Sequence, residues 1–390
     1  MLEWKDIANK TRNLLATKNF PEARQEIQMG LEKLPNQINL LMIANDIYRA
    51  SGDRDRSLEY AELLITHHPD KWQGYICAAQ DLFALKRFEE GQKRIQAGLE
   101  KLPNQINLIN LEKSLEEAMN IPEKATHLSV INQNGSREHY YHFLIGVLLP
   151  LINWKITAHG KIDGPVLMRS CAILDKHLIS LDIPKLAIKK KIDFQLSEHF
   201  CSNVESICGY DFPEKYDSNK IRLASNYLIA RADKLNHKYF KKARESSLPR
   251  VLMINRSKPN EFYNSPESEK KTTGNQRRSI PNFQEMCDGI QKYYPEIIEL
   301  EDLDLYSQIA LFNCADIVIA QHGAALANIV FCKQNTIILE IAYGKHREHF
   351  SNLASSLNLK YVHLNQGGDH SPVEIEAFNC AFSKVIGTFV

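Results

Sequence analysis

The sequence lacks the features that mark several large classes of protein. Its 390 residues carry 48 basic and 47 acidic side chains, so a net charge of +1 supplies no general attraction to nucleic acid. The longest nearly apolar run, residues 143–152, covers about ten residues, whereas a membrane-spanning helix needs about twenty. The first residues, MLEWKDIANKTRNLL, carry acids and no apolar core, so we expect no secretory signal. We therefore expect a cytoplasmic protein, at most peripheral to the inner face of a membrane.

Motifs for several other chemistries are also missing. The eight cysteines form no C-x-x-C pair, so we interpret them as reduced core residues and predict neither disulfides nor a zinc site. No G-x-G-x-x-G follows a predicted first strand, which argues against a dehydrogenase. Two D-x-D patterns occur, but Asp302 and Asp304 precede a predicted helix, where Asp is favoured as a cap, and Asp53 and Asp55 lie in a repeat turn. We therefore predict no bound metal.

The N-terminal third contains an internal repeat. The eleven residues GLEKLPNQINL occur at 30–40 and again at 98–108, and Pro35, Pro69 and Pro103 recur every 34 residues. This period resembles that of tetratricopeptide repeats, in which each helix pair leaves an apolar face for the next pair to cover. Residues 106–119 are predicted to form a closing helix. The repeats either bind a protein partner or an acceptor, or they stabilise or oligomerise the protein.

The rest of the chain alternates between short β-rich runs and amphipathic helices. In the first half we predict strands at 128–131, 165–168, 193–196 and 221–229, helices at 140–154 and 183–191, and a helix and linker at 230–247. In the second half we predict strands at 250–255, 296–300, 316–320, 336–341 and 360–363, with helices at 282–293, 305–313, 347–357 and 372–386. This alternation favours two α/β lobes with parallel sheets and a site in the cleft between them. The predicted domains are residues 1–121, 122–245 and 246–390.

A glycine-containing turn follows the predicted strand 316–320. It reads Gln321-His322-Gly323-Ala324-Ala325, with Asn328 further into the next helix. Small residues leave the backbone open to a ligand, and amides at a helix start attract anions such as phosphate. The turn either binds a phosphate or only allows close packing.

Three arginines bracket a long polar loop, residues 257–279. Arg256 ends a strand, and Arg277 and Arg278 close the loop, which we expect at the same sheet edge as His322. Guanidinium groups can hold phosphate oxygens in a bidentate manner, although solvated surface arginine is the common alternative. Glu340 ends an apolar strand, where a carboxylate either binds ribose hydroxyls or caps a helix.

His142 opens the apolar helix of the first half, within Glu138-His139-Tyr140-Tyr141-His142-Phe143. It either acts as a general base across the cleft or packs among the neighbouring aromatic rings.

An ordered set of motifs resembles the family 61 glycosyltransferases, which are inverting, metal-independent enzymes with the two-lobed GT-B fold. The motifs are, in chain order, Tyr141-His142-Phe143-Leu144 with Leu149-Pro150, the strand ending in Arg256, Arg-Arg-x-Ile-x-Asn from Arg277 to Asn282, the helix with Leu305, Gln308, Leu311 and Phe312, His-Gly-Ala-x-Leu-x-Asn from His322 to Asn328, and Ile-x-Glu ending at Glu340. Relatives commonly have Asp where this chain has Gly146.

The resemblance implies a GT-B body of two Rossmann-like lobes behind an all-α repeat solenoid. It implies a nucleotide sugar, a UDP-sugar, bound by Arg256, Arg277, Arg278, Asn282, His322, Gly323, Ala324, Ala325, Asn328 and Glu340, with no other cofactor. His142 and Arg278 would serve catalysis. We expect a hexosyl- or pentosyltransferase that acts on a glycan or lipid-linked glycan, in the synthesis of capsule or lipopolysaccharide. The alternative is an inactive transferase-like scaffold, which Gly146 favours.

Overall fold

The computed structural model describes residues 3–121, 124–131, 135–157, 164–181, 183, 186–189, 201, 203–210, 216–235, 238–240, 248–269, 273–344 and 348–389. The predicted strand at 193–196 lies outside these residues. The chain divides into two compact units, Met1–His127 with Lys191–Val204, and Leu128–Lys190 with Glu205–Val390. The further division of the second unit at residue 245 stays a prediction.

Among the described residues 3–119, seven helices follow the predicted repeat. They are α1 Glu3–Ala16, α2 Phe20–Lys33, α3 Ile38–Ala50, α4 Arg54–His67, α5 Trp72–Ala84, α6 Phe88–Lys101 and α7 Ile106–Met119. Small residues allow the helices to approach closely: Ala23, Ala44, Ala61, Ala78 and Ala79 are fully buried. At Gly98 a Cβ would lie 2.9 Å from the ring of Tyr75, so a larger residue would push α5 and α6 apart. The helical repeat and its closing helix are confirmed.

A buried polar network connects neighbouring repeats. The Asp81 carboxylate is fully buried and accepts hydrogen bonds from Asn45 Nδ2 at 3.0 Å and Ser57 Oγ at 2.6 Å. Arg49 Nε and Arg54 Nη1 each lie 3.0 Å from the other carboxylate oxygen. Because the carboxylate is matched by four donors and two positive charges, it can be buried without leaving an unpaired charge.

The first sheet has the strand order β3-β2-β1-β4, and one of its strands corrects a predicted helix. The strands are β1 Thr126–Ile131, β2 Val166–Arg169, β3 Leu186–Lys189 and β4 Asn203–Cys208. Residues 183–191 were predicted as a helix, which is wrong, because residues 186–189 pair in parallel with β2 as strand β3. The sequence pattern also missed β4, whose side chains are mostly exposed.

The predicted strand 221–229 is also wrong, because a helix spans Ser218–Lys234. Its buried residues are Ile221, Ala224, Ser225, Leu228 and Ala232. These positions follow helical spacing, i, i+3, i+4 and i+7. Asp217 caps the helix, accepting a hydrogen bond from the Lys220 amide at 3.1 Å. The β-rich composition was therefore misleading, and the cap followed by 3.6-residue periodicity was the stronger signal.

The predicted apolar helix of the first half is confirmed but contains a wider turn. It runs as an α-helix over Tyr140–Phe143, a π-helical turn over Leu144–Leu148 and an α-helix over Leu149–Thr157. Pro150 has no amide hydrogen to donate to the carbonyl of Gly146, four residues earlier, so the regular α-helical pattern cannot continue there. Such π turns inside helices occur frequently at functional sites.

The second sheet is parallel throughout and has the order β6-β5-β7-β8-β9. Its strands confirm the five predicted ones, and they are β5 Val251–Ile254, β6 Glu296–Ile298, β7 Ile317–Gln321, β8 Ile337–Tyr343 and β9 Lys360–Gln366. Strand β6 is added on one side of β5 and the later strands on the other, so the strand order switches between β5 and β7. In doubly wound sheets ligands bind outside the carboxyl ends of the strands at this switch point.

Helices of the second half lie close to their predicted positions. They are Phe283–Gly289, Leu305–Cys314, His349–Ser356 and Ile375–Ile386, and the segment Ala324–Phe331 is a 3₁₀-helix. One apolar core contains Phe143 and Leu228 of the first half together with Phe312 and Phe331 of the second. Within the described part of the chain, no helix is both long and apolar enough to cross a bilayer.

Candidate functional site

A cavity of about 260 Å³ lies at the switch point of the second sheet. Arg256 enters it from the end of β5, and His322 from the end of β7. The structure brings most of the predicted site residues together in this cavity, and these are His142, Arg256, Arg277, Arg278, His322, Gly323, Ala324 and Ala325. The convergence follows from the parallel order of the strands, which places the carboxyl ends of β5 and β7 side by side.

Arg256 is clamped across the glycine turn. Its Nη2 donates to the carbonyl oxygen of His322 at 2.9 Å, and its Nη1 to that of Gly274 at 2.8 Å. A Cβ on Gly323 would lie 1.9 Å from Nη2, so only glycine can occupy this position while the arginine stays in place. Gly274 is constrained as well, with a φ of 55° and the carbonyl oxygen of Ser257 lying 2.6 Å from where its Cβ would be.

A second guanidinium reinforces the positive charge. Arg278 is buried, and its Nε donates to the Asp369 carboxylate at 2.8 Å. Burial and then the nearby charge of Arg278 lower the pKa of Arg256 to about 10, although the carboxylates of Glu301 and Asp369 partly oppose this. Two like charges held this close are stabilised when an anion binds between them.

Three buried polar atoms around the site have no hydrogen-bond partner among the described residues. They are Ser257 Oγ, Thr273 Oγ1 and Gln321 Oε1. Thr273 and Gln321 line the cavity with the arginines. Since nearly all buried polar groups in folded proteins are paired, these atoms are available to a polar ligand or to water.

His322 is oriented by a buried carboxylate. Its Nδ1 is hydrogen-bonded to Glu340 Oε1, and the hydroxyl of Tyr361 donates to Glu340 Oε2. Glu340 is only 1% exposed and does not line the cavity. Burial, together with the bond to Glu340, raises the pKa of Tyr361, so its hydroxyl remains a donor. The structure thus places Glu340 behind His322, where it fixes the ring.

Two other predicted residues form structural bonds outside the cavity. Asn328 is fully buried; its Oδ1 accepts from the Tyr140 hydroxyl at 2.8 Å, and its Nδ2 donates to Gln308 Oε1 at 3.2 Å. Asn282 exchanges two hydrogen bonds with the backbone of Val373, at 2.8 and 2.9 Å. These contacts hold the segments that carry the site, and a direct role of Asn282 or Asn328 with a nucleotide sugar stays a prediction.

His142 lines the cavity from the first half, where it is largely buried. Its ring lies edge-on to that of Tyr141, with centroids 5.3 Å apart, and Gly135 packs against its Nε2 side. Gly146 lies in the wholly buried π turn and lines no part of the cavity.

The long loop contacts the first half of this unit, which the sequence analysis did not predict. The hydroxyl of Tyr263 donates to the backbone oxygen of Glu138 at 2.8 Å. The Glu138 carboxylate accepts from Ser268 Oγ at 3.0 Å and from the Glu269 amide at 2.8 Å. Ser136 Oγ donates to Glu269 at 2.7 Å. The loop therefore joins the segment preceding His142 to the arginine cluster.

An adjoining cavity of about 610 Å³ lies over the ends of β5 and β6 and shares Arg256 and Gln321 with the first. Phe283, Gln284 and Asn275 also line it. In the regions that the structure describes, no group of three or more His, Cys, Asp or Glu side chains is placed to hold a metal ion. Metal-independent chemistry stays a prediction.

Sequence reasoning missed Tyr361, Tyr140 and Asp369. Tyr361 lies in a correctly predicted strand next to β8, so the neighbouring strand could have been searched for partners of Glu340. Strand β9 ends at Gln366, three residues beyond its predicted end at 363, and Asp369 lies in the loop that follows it. A contact such as Tyr140 to Asn328 joins residues far apart in the chain and has no local signal.

Comparisons with known proteins agree with the motifs. Two rice proteins (Oryza sativa subsp. japonica), alpha-1,3-arabinosyltransferases XAT2 and XAT3, are each 22% identical over 264 and 256 residues, covering 63% and 62% of this chain. The chain spans only 42% of the length of these curated relatives.

Solved structures resemble the chain more loosely. The first TPR domain of Spaghetti (RPAP3), bound to an HSP90 peptide, is 18% identical with a TM-score of 0.27, and covers 30% of this chain and 91% of its own. A mutant O-GlcNAc transferase of Thermobaculum terrenum is 11% identical with a TM-score of 0.27, and covers 98% of this chain and 89% of its own.

The sequence model of glycosyltransferase 61 matches residues 140–339, slightly more than half of the chain and the stretch that carries His142, the arginines and the glycine turn. The chain therefore belongs to glycosyltransferase family 61.

Proposed function

We propose that this protein is an inverting, metal-independent glycosyltransferase of GT-B architecture that transfers a sugar from a UDP-sugar to a glycan acceptor. The observation that carries the proposal is the convergence of Arg256 and Arg278 at the sheet's switch point, next to Gly323. Fixed guanidinium groups can neutralise a diphosphate, which is the role of a divalent metal ion in D-x-D enzymes.

The donor is proposed to extend across both cavities. Its diphosphate would lie beside Arg256 and Arg278 and the open backbone of Gly323, Ala324 and Ala325. The nucleoside would enter the adjoining cavity over β5 and β6, where Phe283 offers a ring for stacking and Ser257 an unpaired hydroxyl. Glu340 is buried and already bonded to His322 and Tyr361, so it is poorly placed to bind the ribose.

His142 is the proposed general base, since it lines the same cavity from the first half. It would take the proton of the acceptor hydroxyl as that oxygen bonds to the anomeric carbon from the face opposite the diphosphate. The bond from the anomeric carbon to the diphosphate oxygen breaks, and UDP leaves with the electron pair. Arg256, Arg278 and the His322 ring held by Glu340 would stabilise the charge that develops on UDP.

The test is UDP release from a panel of UDP-hexoses and UDP-pentoses, with and without EDTA. We expect turnover with at least one donor that chelation leaves unchanged, and a loss of about a hundredfold in Arg278→Ala, because one charged contact is removed at the transition state. Arg56→Ala, on an exposed repeat helix, is the matched control and should retain full activity. Loss of turnover in EDTA would contradict the metal-free mechanism.

A second candidate is a scaffold that binds UDP without transferring sugar. Gly146 favours it, because relatives commonly carry Asp there. Binding of UDP with no turnover on any donor would support this alternative. Failure of both binding and turnover would refute both readings.

The biological setting is proposed on the same basis. We propose a cytoplasmic enzyme of capsule or lipopolysaccharide synthesis, at most peripheral to the membrane, whose acceptor is a glycan or lipid-linked glycan. The helical repeats would hold a protein partner or the acceptor, or act as a stabilising or self-associating module. Deletion of residues 3–119, with assay on a soluble acceptor, separates a stabilising from a recruiting role. Loss of a stabilising module lowers the thermal midpoint of the remaining chain, whereas loss of a recruitment module does not.

A further inference from the structure

A separate cavity of about 610 Å³ lies at the carboxyl end of the first sheet. Ser136 and Arg137 line it from the segment after β1, and Arg169 from the end of β2. Phe262 and Glu269 line it from the long loop of the second half. None of the residues predicted from the sequence as site residues lines this cavity.

This cavity meets the donor cavity at a shared wall. Glu138 and Phe262 line the former, and the next residues in the chain, His139 and Tyr263, line the latter. The wall is held by the hydrogen bond from the Tyr263 hydroxyl to the Glu138 carbonyl oxygen, at 2.8 Å. The rings of Phe262 and Tyr263 are edge-to-face, with centroids 5.6 Å apart. Gly135 also lines this cavity and packs against the Nε2 side of His142, so the cavity lies close to that ring.

The charges that line the cavity are mixed. Arg137 and Arg169 lie close enough to repel, and burial together with this repulsion lowers the pKa of Arg137. The cavity is also lined by the carboxylates of Glu138, Glu267 and Glu269. A nucleotide or another strongly anionic ligand would face these carboxylates. An uncharged polyol fits better, because each hydroxyl can donate to a carboxylate and accept from a guanidinium.

Phe262 supplies the remaining feature of a sugar site. Its ring is half-buried at the cavity wall and gives an apolar surface for the C–H face of a pyranose. Concave sites that combine an aromatic surface with a few convergent polar groups are typical of small-molecule binding.

We propose that the cavity formed by Ser136, Arg137, Arg169, Phe262 and Glu269 binds an uncharged saccharide and serves as the acceptor subsite of the enzyme. This inference rests on the proposed function, since an acceptor subsite has meaning only beside a donor site.

The test measures binding of cellobiose, xylobiose and lactose to the full chain by saturation-transfer NMR. Calorimetry measures UDP binding to the same protein. At least one disaccharide should bind at about millimolar concentration, with UDP present or absent. Arg169→Ala and Phe262→Ala should each weaken it about tenfold, with UDP affinity unchanged, and Phe262→Tyr should retain binding. Arg56→Ala and Tyr294→Ala, which change an arginine and an aromatic ring exposed elsewhere, are matched controls.

Three results would overturn the acceptor subsite: no disaccharide binds, binding is unaffected in both variants, or UDP displaces the disaccharide competitively. Preference for an acidic disaccharide such as cellobiouronic acid would also refute it. Thermal denaturation of each variant shows that a loss of binding is not a loss of fold. Failure of the proposed function appears differently, as absence of UDP binding to the wild type.

Discussion

Nη2 of Arg256 lies where a side chain on Gly323 would have to be, 1.9 Å from the position of a Cβ. The glycine in the turn after β7 is therefore required by an arginine after β5, which lies 67 positions earlier in the chain. The same guanidinium binds the carbonyl oxygen of His322, so the turn and the arginine position each other.

Substitution of this glycine should therefore disable the arginine. In Gly323→Ala the Arg256 guanidinium must leave its place, and we expect UDP affinity to fall at least about tenfold and stability by about 1–3 kcal/mol from overpacking. Calorimetry and urea unfolding measure the two effects. Gly367→Ala is the matched control, because its Cβ would meet only Ser371, at 3.7 Å. Equal UDP affinity in both variants would contradict the proposed clamp.

The second prediction concerns the carboxylate behind His322. Tyr361→Phe removes a donor to the buried Glu340 and should destabilise the chain by about 1–3 kcal/mol with modest loss of turnover. Glu340→Gln keeps the shape but replaces the charged partner of His322, so turnover should fall much further, by about a hundredfold. Thermal midpoints and initial rates separate the two. If Glu340→Gln is as active as the wild type, the orienting role is wrong.

Acid stability should depend on His177. Burial among the rings of Tyr140 and Phe143, and then the charge of Lys176, lower its pKa from 6.5 to about 4. The unfolded chain thus binds this proton more tightly, so stability should fall as pH drops from 6.5 towards 4, by up to about 1.4 kcal/mol per pH unit. When the free energy of unfolding is measured in urea across this pH range, His177→Gln should lose this part of the pH dependence. His370→Gln, which changes an exposed histidine, should keep it. Parallel slopes in wild type and His177→Gln would refute the assignment.

The fourth prediction tests the repeat unit. Asp81→Ala leaves Arg49, Asn45 and Ser57 without their buried partner, and we expect a loss of about 3 kcal/mol in the unfolding of the helical unit. Far-UV circular dichroism in urea reports it. Glu59→Gln removes an exposed ion pair with Arg56 and should change nothing measurable. A similar midpoint for both variants would show that the network is dispensable.

Regular elements with a clear period were predictable from the sequence. The 34-residue repeat located the helix pairs of the first unit, and its closing helix has the predicted bounds, Ile106–Met119. The five strands of the second sheet were also found: β5, β7 and β8 are continuous apolar runs with mostly buried side chains, whereas the edge strands β6 and β9 are partly exposed. Both signals are local, and the strand signal is strongest where the side chains are buried, in β5, β7 and β8.

The first half was harder to predict because its signals are weak. Strand β3 has four residues, and β4 carries mostly exposed side chains, so neither shows the apolar pattern of a buried strand. The helix Ser218–Lys234 contains Tyr227 and Ile229, whose β propensity outweighed its cap and period in the sequence reading.

The sequence by itself determined which residues could bind a phosphate: the arginines at the ends of the long loop and the glycine turn. The tertiary structure decided which of them meet, because parallel pairing of β5 with β7 brings Arg256 to Gly323. It also gave Glu340 buried partners in His322 and Tyr361, and Asn328 a hydrogen bond with Tyr140. Those contacts depend on strand order and helix packing over long separations, which no local pattern of residues encodes.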